Sequence, residues 1–104
     1  MERTCFTFTI KPGTEREYKR RHDEIWPEMV AALRASGIRN YTLFLRGREV
    51  IAYAECEPDA ETAFARMAAT EVDRRWSRWF EEIIDRRFAD DGTAMTVPEV
   101  WHLD

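Results

Sequence analysis

Hydrophobic and polar positions alternate from the start of the chain. Over Arg3–Lys11, Phe6, Phe8 and Ile10 point one way and Cys5, Thr7 and Thr9 the other. A period of two predicts a strand with one face on a core. Pro12-Gly13 closes the run with a turn. Thr14-Glu15-Arg16-Glu17 has capping-box spacing, with Thr14 as cap and Glu17 reaching back, and predicts a helix carrying Tyr18 and His22 in its first turns. Pro27 holds Trp26 extended and cannot sit inside a helix, so this helix stops or kinks near Ile25. A second helix starts with Pro27 at its first position and ends at Gly37. Two strands follow. Ile38–Leu45 puts Tyr41, Leu43 and Leu45 on one face and Thr42 and Phe44 on the other; in Glu49–Glu57, Ala52 and Ala54 alternate with Ile51 and Tyr53. Arg46-Gly47-Arg48 joins them as a hairpin.

Pro58-Asp59 opens a helical region predicted to run to about Arg87, with Asp59 as N-cap and Glu61 complementing the helix dipole. Thr70, with Asp73 three residues on, is a second cap that interrupts it. Trp76, Trp79, Phe80, Ile83 and Ile84 then recur at helical spacing, which by itself describes a core face. Asp90-Asp91-Gly92 is a loop, and Thr96–Leu103 a final strand that Pro98 places at a sheet edge. The order strand, helix, strand, strand, helix, strand is the split βαβ pattern of an α+β, ferredoxin-like fold: an antiparallel sheet with helices on one face. The second strand is apolar on both faces, so the open sheet face needs a cover. A two-fold homodimer stacking sheet on sheet is the simplest one.

Length sets one domain over 1–104, with a modest core. A net charge of −4 gives a nucleic-acid partner no electrostatic support. The basic runs Lys19-Arg20-Arg21, Arg74-Arg75 and Arg86-Arg87 each have acids within about a turn and read as solvated helix faces. No apolar run approaches the roughly 18 residues of a membrane span. Met1-Glu2-Arg3-Thr4 leads straight into a strand pattern, without a signal peptide. Cys5 and Cys56 are too few for a disulfide scaffold or a zinc site, and as reduced thiols they point to the cytosol.

The candidate chemistry lies in Tyr18–Glu28. His22 is one of two histidines and titrates near neutrality, so it can give or take a proton. Tyr18, four residues before it, shares its helix face. A histidine at a helix break among aromatics describes the floor of a small pocket; the plainer reading is a surface histidine with Trp26 in the core. Asp23 and Glu24 are candidate orienters of His22. His102, near the C-terminus, reads as structural, closing a dimer seam.

These residues carry a resemblance. Tyr18–Glu28, with the block His22-Asp23-Glu24-Ile25-Trp26-Pro27-Glu28 as its most specific part, resembles the L-rhamnose mutarotase family when read with Asn40-Tyr41, Arg75-Trp76 and Glu99-Val100-Trp101-His102-Leu103. The resemblance covers nearly the whole chain. It implies the dimeric α+β barrel fold and interconversion of the α and β anomers of L-rhamnose or a related 6-deoxy sugar, without cofactor or metal. By position, His22 matches the family's acid/base histidine, and Tyr18, Tyr41 and Trp76 match residues that contact the sugar. The family commonly has a second tryptophan directly after the position of Trp76, where this chain has Ser77; the stretch Ile83–Met95 is also diverged. Two other classes share the fold or the pocket: a small cofactor-free monooxygenase or haem-degrading enzyme, and a non-catalytic dimeric sugar-binding paralogue.

Overall fold

A computed structural model describes residues 1–104. The chain runs β1 (Glu2–Ile10), α1 (Glu15–Asp23), α2 (Pro27–Ser36), β2 (Ile38–Arg46), β3 (Glu49–Cys56), α3 (Ala60–Ala68), α4 (Glu71–Phe80), β4 (Ile84–Arg86) and β5 (Met95–Thr96). The sheet is antiparallel in the order β2-β3-β1-β4, and β5 shares the outer edge of β1 with β4. This is the ferredoxin-like arrangement that the element order predicts. No helix is long and apolar enough to cross a membrane.

Alternation decides which sheet face the helices cover. Phe8 and Ile10 of β1 and Val50, Ala52, Ala54 and Cys56 of β3 are buried. They pack in two clusters, one with Met29, Ala63, Met67 and Val72 and one with Tyr18, Phe80 and Ile83. The opposite face carries Cys5, Thr7, Thr9, Ile51 and Tyr53, all partly exposed, and Phe44, which is 56 % exposed. It is a threonine-rich face with an apolar centre. Pairing of Leu43 with Ala52 and Leu45 with Val50 puts Leu43 and Leu45 on the helix side, as alternation predicts.

The Pro27 prediction holds in detail. Trp26 is extended (φ −67°, ψ 136°) and Pro27 opens α2. Gly37 closes α2 in the left-handed region (φ 99°), and its carbonyl accepts from the Glu57 N–H at 2.9 Å. A Cβ there would lie 2.2 Å from the Glu57 carbonyl oxygen, so the α2–β2 junction closes against β3 only with glycine. The Asp59 and Thr70 caps are also present: Asp59 accepts from the Thr62 N–H at 2.7 Å, and Thr70 from the Asp73 N–H at 3.2 Å. The second cap divides α3 from α4.

Four expectations are corrected. Thr14 precedes α1, but its hydroxyl donates to the Lys11 carbonyl at 2.7 Å and caps nothing. Glu17 turns instead to Arg20 and Arg21, whose hydrogen bonds lower its pKa to about 2. Arg21 is not on a solvated face: it is buried, donates to the Trp79 carbonyl, Glu17 and Glu82, and stacks 4.7 Å from the Trp79 ring. Two acids and a cation–π contact let its charge leave water. The last helix stops at Phe80, not Arg87. Ile83 and Ile84 keep helical spacing, yet the Lys11 N–H donates to the Ile83 carbonyl at 2.7 Å and Ile84 pairs with Ile10. The free edge of β1 supplies backbone partners that helix extension would forgo. The strand expected over Thr96–Leu103 shrinks to Met95–Thr96. The Val97 N–H still reaches the Cys5 carbonyl, but Pro98 has no N–H to donate and the pairing stops.

Candidate active site

A cavity of about 960 Å3 opens between the sheet and the helices, at the upper end of the range for small-molecule sites. All four residues singled out from the sequence, His22, Tyr18, Tyr41 and Trp76, line it. His22 sits in the last turn of α1. Its ring lies 4.5 Å from that of Tyr18, 5.1 Å from Phe80 and 5.4 Å, edge to face, from Trp76. His22 Nδ1 is 2.9 Å from the Tyr18 carbonyl oxygen. A carbonyl only accepts, so neutral His22 carries its proton on Nδ1 and a free lone pair on Nε2. Desolvation by the aromatics lowers its pKa from 6.5, against the opposing pull of the Tyr18 carbonyl and Asp23. At neutral pH the imidazole is therefore a base of fixed tautomer.

The orienter is thus the backbone one turn earlier. Asp23 pairs with Lys19 at 2.7 Å and Glu24 with Arg20 at 2.6 Å, both on the exposed side of α1. The sequence contains the Tyr18–His22 spacing but not which partner wins: in a helix, the i−4 carbonyl is always within reach, and neighbouring lysine and arginine take the carboxylates.

Tyr18 is buried against Phe8 and Phe80, and desolvation raises its pKa. Tyr41 meets Phe64 edge to face at 5.8 Å. Although 37 % of Tyr41 is exposed, its hydroxyl titrates as an enclosed group, pushed up to about 12 chiefly by desolvation. Both phenols stay protonated at any working pH, so each can donate to and accept from a ligand. Trp76 packs against Trp26 at 5.1 Å, Trp79 at 5.5 Å and Phe80 at 4.8 Å, and joins both core clusters. It is core and cavity wall at once.

Sequence reasoning missed Asp73 and Arg87, which also line the cavity. From its spacing to Thr70, Asp73 reads only as part of that cap. The overlooked signal is its spacing: Asp73, Trp76, Ser77 and Phe80 stand at i, i+3, i+4 and i+7 of α4 and all face the cavity. Arg87 lies in the stretch whose apolar spacing predicts helix. His102 does not line the cavity; it is exposed and 2.9 Å from Asp104. No group of three or more His, Cys, Asp or Glu side chains is gathered where it could hold a metal ion.

Fold and cavity define an α+β protein with one desolvated imidazole in an aromatic pocket, suited to moving a proton on a small, partly apolar, hydroxyl-bearing ligand. Comparison with known proteins narrows this. The family profile of L-rhamnose mutarotase matches residues 3–103. The chain is 33 % identical to an L-rhamnose mutarotase of Oceanobacillus iheyensis over 104 residues, covering all of both chains. It is 34 % identical to one of Listeria monocytogenes over 103 residues, covering 99 % of each. The crystal structure of an L-rhamnose mutarotase from Formosa agariphila superposes with a TM-score of 0.78 at 22 % identity, over the full length of both chains, and shares the fold. The chain belongs to the L-rhamnose mutarotase family.

Proposed function

We propose that this protein interconverts the anomers of L-rhamnose, with His22 as the proton shuttle. The observation that carries the reading is the neutral, tautomer-fixed imidazole in an aromatic cavity of a chain from this family. Mutarotation moves one proton between two oxygens on the same carbon. His22 Nε2 takes the proton of the anomeric hydroxyl as C1=O forms and the C1–O5 bond breaks; the imidazolium returns that proton to O5. The open aldehyde turns about C1–C2, and the reverse steps close the ring on the other carbonyl face. The imidazole ends as it began, so one group serves both directions. Trp76 covers the C–H face and methyl of the 6-deoxy sugar, and Tyr18 and Tyr41 hold its hydroxyls. Direct readout of anomer exchange by saturation-transfer NMR on L-rhamnose, L-fucose and L-lyxose tests the reading. L-rhamnose exchanging faster than the protein-free solution at catalytic protein concentration supports it; no acceleration for any of the three refutes it.

The single domain acts as a homodimer in the cytosol under this proposal. Beyond Phe44, the C-terminal tail leaves Val100 95 %, Trp101 76 % and Leu103 74 % exposed. These exposed apolar side chains and the open sheet face are the surfaces that a second copy covers under this proposal. Sedimentation equilibrium at micromolar protein is expected to give twice the 12.4 kDa monomer mass, and a monomer alone would contradict the dimer.

A further inference from the structure

Two opposite charges line the cavity without an ion pair or a side-chain hydrogen bond: Asp73, partly buried, and Arg87, exposed. The Asp73 carboxylate is half-buried on the cavity wall and makes no ion pair or side-chain hydrogen bond; only its backbone N–H is engaged, by Thr70. Its pKa is raised by desolvation, which the charge of Arg87 partly offsets. Arg87 likewise makes no ion pair, whereas the preceding Arg86 is held by Asp90 and the Phe88 carbonyl. The Arg87 guanidinium lies 5.4 Å from the Phe8 ring, and its field reaches Tyr18, Tyr41 and Asp73. A carboxylate held partly out of water without a partner is costly unless a ligand supplies donors.

The α4 repeat gives the spacing. His22 packs on Trp76 and Phe80, and Asp73 stands three residues before the one and seven before the other, about one to two helical turns or roughly 5–10 Å toward the N-terminus of α4. A pyranose with its ring hydroxyls bridges an interval of that order. With C1 and O5 at His22, the hydroxyls on C3 and C4 are the ones carried toward Asp73. A carboxylate accepts from two neighbouring hydroxyls at once, and a guanidinium donates to hydroxyl oxygens. An anionic sugar acid would meet repulsion at Asp73 and a cationic amino sugar at Arg87, so a neutral polyol satisfies both.

We propose that Asp73 and Arg87 are the specificity-determining pair of this cavity, binding the C3 and C4 hydroxyls of a neutral pyranose whose anomeric carbon lies at His22. The pair rests on the reading of the cavity as an aldose site. It assigns to Asp73 and Arg87 the polar recognition of the sugar end remote from the chemistry, beside the wall position held by Ser77.

The test measures L-rhamnose exchange by NMR and sugar binding by calorimetry for wild type, Asp73→Ala, Asp73→Asn and Arg87→Gln. Losing a hydrogen-bonded charge is expected to raise KM about 10–100-fold in Asp73→Ala and Arg87→Gln, with kcat within about threefold. Asp73→Asn keeps an acceptor and the side-chain shape, is expected to lose about tenfold, and reports if the alanine variant does not fold. The 3-deoxy and 4-deoxy analogues of L-rhamnose are each expected to bind wild type more weakly by part of the factor that Asp73→Ala costs, and to show a smaller loss in that variant than in wild type. A merely structural role would not make the losses non-additive. Wild type exchanging L-rhamnose while the variants keep KM within twofold overturns the pair and leaves the mutarotase reading standing. Wild type binding the sugar through Asp73 without exchanging it does the reverse. No sugar binding by wild type overturns both.

Discussion

His22→Ala is expected to slow anomer exchange by about 10²–10⁴-fold, the range of a general acid–base group, while fold and assembly persist. The ring is only part-buried and its one hydrogen bond goes to the backbone of its own helix, so truncation leaves no stranded partner in the core. His22→Asn is expected to lose as much, because an amide cannot titrate. Stability supplies an independent check on the imidazole. Its folded pKa lies below the unfolded value of 6.5, so the unfolded chain binds the proton first. His22 therefore costs stability as pH falls through about 6.5, and the wild type is expected to lose stability relative to His22→Asn over that interval but not above it. Urea unfolding at pH 7.5 and pH 5.5 measures this, and a stability difference between wild type and His22→Asn that is the same at both pH values would remove the desolvation argument.

Trp76→Ala is expected to cost about 3–5 kcal/mol in urea unfolding and to abolish measurable sugar binding in the folded fraction. The ring contacts three aromatics besides His22, so its removal opens a cavity that Trp26, Trp79 and Phe80 cannot jointly fill. The two roles separate in Trp76→Phe, which keeps an aromatic wall and is expected to recover most stability while binding stays weakened. A variant that loses stability but binds sugar as tightly as wild type would make Trp76 a core residue only.

Local devices in this chain were legible because each has one physical solution. Pro27 ends one helix and starts the next, Gly37 takes a left-handed turn under the Glu57 carbonyl, and Asp59 and Thr70 cap their helices. What was not legible depends on competition between distant partners. Thr14 has cap spacing, but Lys11 offers its hydroxyl a carbonyl, and Arg20 and Arg21 draw Glu17 away. Arg21 sits among charged residues in sequence and is buried only because α4 brings Trp79 and Glu82 across it. Ile83 and Ile84 suit helix and strand alike until the free edge of β1 decides. The candidate site shows the same division. Tyr18 and His22 stand out by their spacing, and Tyr41 and Trp76 only by the family resemblance; all four line one cavity. Asp73 was hidden behind its capping role, and Arg87 by the misplaced end of α4.

The pH dependence of kcat/KM for L-rhamnose anomer exchange, in wild type and His22→Asn, tests the proton-shuttle claim most directly. Free base is the working form of His22, and kcat/KM reports the free enzyme. The account predicts that wild-type kcat/KM rises through a single apparent pKa below 6.5 and is flat above pH 7, with no such rise in His22→Asn. A rise that persists in His22→Asn, or a wild-type profile that climbs only above pH 6.5, would contradict it.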